Sequence, residues 1–138
     1  MIVGIGNDLV EIQRLTNMLN KGHGQRFLER CFTQQEQQLC NGRSTPQRAC
    51  CYAKRFAAKE AVIKALGVGF RQGLWFTDIE VLPNQLGRPT VTLHGATAQW
   101  LACHHPGQVN IHLSLSDEKG LAIATALIEC HPLAMAPS

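Results

Sequence analysis

Three places in this sequence pair a reactive side chain with an unusual setting. Glu60 and Lys64 lie in RFAAKEAVIKALG, residues 55 to 67, which reads as a helix. At about 100° per residue, Glu60 falls near the line joining Phe56 to Ile63 and Gly67, while Ala57, Ala58, Ala61 and Ala65 fill the adjoining arc. Such a helix has no evident solvated face, so a carboxylate on it needs a counter-charge. An ordinary i, i+4 pair with Lys64, worth roughly a few tenths of a kcal/mol, is the simplest reading. A second acid, Asp8, stands where a strand reads into a helix, and His112 falls on the polar side of a later alternating strand. Two carboxylates from distant segments suit Mg²⁺, which prefers hard oxygen ligands, keeps several waters and takes one or two protein carboxylates beside substrate phosphates. A lysine one turn from such a carboxylate can meet phosphate charge directly. Spacing alone leaves both readings of Glu60 open.

The elements that must position these groups are legible from periodicity. Ile2 to Gly6 reads as a strand and Val10 to Asn20 as a helix with Ile12, Leu15 and Leu19 at helical spacing, which leaves Asp8 at the junction. Arg26 to Phe32 reads as a short helix, and Thr33 with Glu36 forms a capping box for Gln34 to Asn41. After a loop from Gly42 to Thr45, Pro46 opens a long helix that stops at Gly67. Strand patterns follow at Leu74 to Leu82 and Pro89 to Leu93, joined by a turn holding Pro83, Asn84 and Gly87. A helix over Gly95 to Cys103 precedes a second hairpin, Val109 to Leu115 and Leu121 to Cys130, connected by Ser116 to Gly120. Val109, Ile111, Leu113 and Leu115 alternate with Asn110, His112, Ser114 and Ser116, which sets His112 on the polar face. The fold class is α+β: an antiparallel sheet, a long central helix and shorter packed helices. Residues 1–130 form one domain and 131–138 a loose C-terminal tail.

Composition narrows the function classes. The 138 residues, 45% hydrophobic and 17% charged, fit one globular domain, and no apolar run approaches the length of a membrane span. The start, with Asp8 and Glu11, lacks signal-peptide character, so the expected location is cytoplasmic. The six cysteines are accordingly expected to be reduced, with no disulfides, and their spacing is not that of a zinc site. Net charge is +3 but uneven: residues 1–72 carry eleven Lys and Arg against five acids, whereas 73–138 carry two against five. A basic N-terminal half expects an anionic partner. One alternative is a small RNA-binding module, but Trp75, Phe76 and Trp100 do not compose a base-stacking motif, so no nucleic acid is expected.

GIGNDLVEIQRL (4 to 15), RFLERCFTQQE (26 to 36), KRFAAKEAVIKALGVG (54 to 69), LGRP (86 to 89) and IHLSLSDEKGLAIATALIE (111 to 129) together resemble the holo-[acyl-carrier-protein] synthases, a 4'-phosphopantetheinyl transferase family. The resemblance runs in order through nearly the whole chain. It implies the phosphopantetheinyl transferase fold and Mg²⁺-dependent transfer of 4'-phosphopantetheine from coenzyme A to a serine of apo acyl carrier protein, releasing adenosine 3',5'-bisphosphate, in fatty acid biosynthesis. A non-catalytic binder of coenzyme A or carrier protein is the alternative within the same resemblance.

Carried onto matching positions, the resemblance makes Asp8 and Glu60 the Mg²⁺ ligands. It gives Lys64 the pyrophosphate, Arg55 another phosphate and His112 a place lining the cleft, with backbone groups near Gly67 and Gly69 also available to phosphate. Glu60, a metal-bound water and His112 are the candidate acceptors of the serine proton. Arg14, Met18, Lys21, Arg26 and Phe27 form a candidate docking patch for the acidic carrier protein, and a homotrimer is implied. Three departures stand out: Val68 follows Gly67 where the family has threonine, Ser116 and Asp117 stand where many relatives have a second histidine, and Asn7 replaces a frequent threonine.

Overall fold

Alternate residues of the first segment face opposite surroundings, and that keeps it extended well past Gly6. In the computed structural model, which describes residues 1–68 and 75–133, strand β1 runs Ile2–Glu11. It pairs antiparallel with β5, Leu121–Pro132, Asp8 lying opposite Ala124 and Glu11 opposite Leu121. Asp8 therefore sits within a strand rather than at a strand-to-helix junction. The continuing ladder outcompetes the helical spacing at Val10, and helix α1 occupies only Ile12–Asn20. Strand β4, Gly107–Glu118, pairs with the other edge of β5, giving the order β1-β5-β4. Lys119 and Gly120, at φ 50° and 81°, close this hairpin in two residues, tighter than the five-residue connection expected. β5 also continues through His131 and Pro132. Residues 134–138, most of the expected tail, lie outside the described residues.

Helices α2 (Gly24–Cys31) and α3 (Gln34–Asn41) precede α4, which spans Thr45–Leu66 with Pro46 in its first turn and Gly67 as its left-handed stop at φ 77°. α4 is buried on nearly every side, as its alanine-rich sequence predicts. Its C-terminal half lies on the inner face of the sheet, where Ala122, Ala124 and Ala126 are fully buried. Contact with β1 is closer still. A Cβ on Gly4 would overlap the Ala65 carbonyl oxygen, and one on Gly6 the Ala61 carbonyl oxygen, so these two positions admit only glycine. A 3-10 turn at Phe76–Asp78 then leads to strands β2, Ile79–Pro83, and β3, Pro89–Leu93, which pair as a separate hairpin. Pro83, expected in the turn, ends β2 opposite Pro89. Helix α5, Gly95–His104, connects to β4.

Two internal ties were not foreseen. Cys40 and Cys51 form a disulfide between α3 and α4, contrary to the expectation of none. The expectation rested on redox compartment, whereas packing of the two helices brings the buried pair to a Cα separation of 5.5 Å. Cys31, Cys50, Cys103 and Cys130 are free thiols. The second tie is Glu36 with Lys59, both fully buried, Nζ to Oε1 2.8 Å. Glu36 completes the predicted capping box with Thr33 and also accepts the Val81 backbone N–H at 2.8 Å. Lys59 donates further to the carbonyls of Phe76 and Ile79. A charge pair this deep persists because each of its hydrogen-bonding groups has a partner.

Candidate active site

The glycine contact between β1 and α4 brings Asp8 to the face of α4 that carries Glu60 and Lys64. Asp8 shares the inner side of β1 with Gly6, and the Lys64 ammonium reaches across to Asp8 Oδ1 at 3.1 Å and to the Asn7 carbonyl at 3.0 Å. Lys64 thus bonds the strand, and the simple i, i+4 pair with Glu60 is not its principal contact. Burial raises the Glu60 carboxyl above its ordinary value, the nearby Asp8 carboxylate raises it further, and the charges of Lys64 and Arg14 oppose both. At Glu60, burial and the like charge together outweigh the two cations. This donor set fits Mg²⁺: two hard anionic oxygens from separate elements, with no third His, Cys, Asp or Glu gathered there among the described residues to close a full protein cage.

Arg14 lies beside this cluster, its guanidinium 5.6 Å from the centre of the Phe56 ring. With Met18 and Lys21 it lines a groove along α1. Arg26 is exposed on α2, whereas Phe27 is half-buried, its ring 5.9 Å from that of Phe32 and 6.2 Å from that of Phe56. Phe27 therefore serves the core as well as any surface patch. Arg14 and Phe27 converge on Phe56, which sets the basic groove next to Glu60.

The remaining candidates lie elsewhere. Arg55 projects from the side of α4 opposite Lys64 and is buried, donating to the carbonyls of Val81 and Cys51 at 3.1 and 3.3 Å. Burial lowers its basicity. It lines a separate pocket with Arg43, Lys54 and Asp117. Asp117, at one of the departures, forms an ion pair with Lys54, and that hydrogen bond holds its carboxyl below the ordinary range. His112 lies opposite Leu127 on the outer face of the sheet, so within one chain the sheet itself separates it from Asp8. Gly67 offers its left-handed turn rather than a free amide, since its N–H donates to the Lys64 carbonyl. Gly69 is outside the described residues. Asn7, another departure, uses its carbonyl for Lys64 and its side chain for Thr125 on β5, at 3.2 Å. Of the two unforeseen ties, Glu36 to Lys59 is the one that left a trace in the sequence. Its one signal was a lysine in the apolar arc of α4 between Phe56, Val62 and Ile63.

Comparison with known proteins places this geometry in a family. The sequence model of the 4'-phosphopantetheinyl transferase superfamily matches residues 4–126. The holo-[acyl-carrier-protein] synthase of Brucella ovis is 46% identical over 135 residues, covering 96% of this chain and 98% of that protein. Among solved structures, the holo-[acyl-carrier-protein] synthase of Neisseria meningitidis superposes with a TM-score of 0.81 at 35% identity, over 94% of this chain and 99% of that one. The Bacillus anthracis enzyme, solved in complex with coenzyme A (3',5'-ADP), superposes with a TM-score of 0.77 at 34% identity, over 95% and 99%. Matched in sequence through both carboxylate-bearing segments and in structure over nearly its whole length, the chain belongs to the 4'-phosphopantetheinyl transferase superfamily.

Proposed function

We propose that the chain is a holo-[acyl-carrier-protein] synthase, transferring 4'-phosphopantetheine from coenzyme A to a serine of apo acyl carrier protein. The observation that carries this reading is the nearness of the Asp8 charge on β1 to Glu60 on α4, with Lys64 of the same helix bonded to Asp8. Asp8 and Glu60 would hold Mg²⁺, which supplies charge neutralisation for the pyrophosphate. The serine oxygen forms a bond to the β-phosphorus, the bond from that phosphorus to the bridging oxygen breaks, and adenosine 3',5'-bisphosphate leaves with the bond electrons. Lys64, more than half exposed, would meet with its ammonium the charge that grows on the departing bisphosphate. Asp8 is tied to Lys64, which leaves Glu60 as the carboxylate that would take the serine proton. Arg55 would meet a second phosphate of coenzyme A from its own pocket. The test is mass spectrometry of apo carrier protein incubated with the chain, Mg²⁺ and coenzyme A. No mass gain of one phosphopantetheine would reject the reading.

The outer face of the sheet supports assembly of copies. Ile5 and Leu9 on β1 are exposed there, 67% and 56% of their surface. Burying them against another copy removes apolar area from water, and the resemblance sets the number of copies at three. Since His112 shares this outer face, its cleft role belongs to a site completed between copies. The place of action is the cytoplasm and the process fatty acid biosynthesis, both by resemblance.

Arg14, Met18, Lys21 and Arg26, with the exposed edge of Phe27, form the carrier-protein docking surface. Arg26→Glu should weaken carrier-protein use far more than coenzyme A use, because rim charges mainly set association rate and its salt dependence. Initial rates measured against ionic strength should fall steeply for the wild type and less steeply for the variant. Equal salt slopes would remove Arg26 from the surface.

A further inference from the structure

The cross-strand register of β4 and β5 assembles a small polar cluster on the outer face of the sheet. Asn110 lies opposite Glu129, His112 one inter-strand step further and Gln108 opposite His131. One carboxylate oxygen serves two imidazoles: His112 Nε2 is 3.3 Å from Glu129 Oε1 and His131 Nε2 is 3.5 Å from the same atom. Both rings are otherwise largely exposed, and Glu129 is the more covered of the three, at 34% of its side-chain surface. The hydrogen bond from His112 is the main reason that the Glu129 carboxyl lies below its ordinary range.

We propose that Glu129 positions His112 for the transfer reaction by holding Nε2 and leaving Nδ1 as the ring atom turned to substrate. This rests on the reading of His112 as a cleft residue. An imidazole bonded through one nitrogen to a carboxylate has a fixed ring plane and tautomer. His131 competes for the same oxygen and so weakens the hold of Glu129 on His112. Arg88, from the turn before β3, lines the same cleft as His112.

The test is NMR of the His112 ring nitrogens in the full chain, which reads the ring tautomer, for wild type, Glu129→Gln and His131→Ala, with transfer kinetics alongside. Glu129→Gln keeps the size but removes the charge and adds an amide that can donate to the ring. It is expected to mix the two ring tautomers and to raise KM for coenzyme A more than it lowers kcat. His131→Ala is expected to leave activity in place and the tautomer unchanged. An unaltered tautomer in Glu129→Gln overturns the positioning role, and so does an altered tautomer with wild-type kinetics. If His112→Ala itself transfers with wild-type kcat and KM, the cleft reading of His112 fails instead, a result separable from both of these.

Discussion

Asp8→Asn and Glu60→Gln should each lower Mg²⁺-dependent transfer on the order of 10²-fold or more while leaving the folded state intact. Each removes a proposed ligand charge and leaves side-chain volume almost unchanged. For Glu60 the direction of the stability effect can be stated. Its carboxyl is raised above 4.5 in the folded chain by burial and by Asp8, so protonation is favoured in the native state. The stability linked to that proton is present below the ordinary value and is lost as pH rises through the raised one. The metal-free Glu60→Gln chain should therefore keep its thermal midpoint between mildly acidic and neutral pH where the wild type declines. Added Mg²⁺ should raise the wild-type midpoint by mass action and leave both variants unmoved. Calorimetry with and without Mg²⁺ reads both effects. A variant that retains turnover excludes its residue from the metal site.

Lys59→Met is the second large expectation, and it concerns folding. The change leaves Glu36 charged at zero exposure with, among the described residues, only the backbone amides of Thr33 and Val81 for partners, and it strips a donor from the Phe76 and Ile79 carbonyls. Breaking a buried pair from one side typically costs about 3–5 kcal/mol, a large part of the stability of a domain this size. Urea unfolding should show a midpoint lowered accordingly. Adding Glu36→Met should cost less than the two single effects predict, by more than about 1 kcal/mol, since the stranded charge is then gone. Full additivity would mean that the two side chains act independently.

The course of the chain from Thr33 to Gly67 was legible because its signals are local: a capping box, a proline in the first turn and a left-handed glycine at the end. Asp8 and Glu60 were legible through resemblance, and their meeting follows from glycines that were read only as part of a motif. The boundary at Asp8 was misplaced because Val10 fits both a helical and an alternating pattern, and only pairing with β5 decides between them. The Cys40–Cys51 bond and the Glu36–Lys59 pair were hidden for a related reason. Each joins segments through helix packing that no local pattern encodes, and a lysine in an apolar arc reads as an exception until its carbonyl partners are known. His112 was read correctly onto the polar face, but which side of the sheet that face occupies relative to Asp8 is a property of the whole topology.

Gly4 and Gly6 act as a gauge for the placing of Asp8 beside Glu60. A strand can slide along its neighbour by one residue, and such a slip turns every side chain to the opposite face. Here a slip would drive Val3, Ile5 or Asn7 into the carbonyls of Ala61 and Ala65, where not even a methyl group fits. The misaligned chain is excluded by volume before any electrostatic preference operates. The same two absent side chains that let β1 touch α4 thus proofread the alignment of the pair, so that it is Asp8, and neither Asn7 nor Leu9, that arrives beside Glu60.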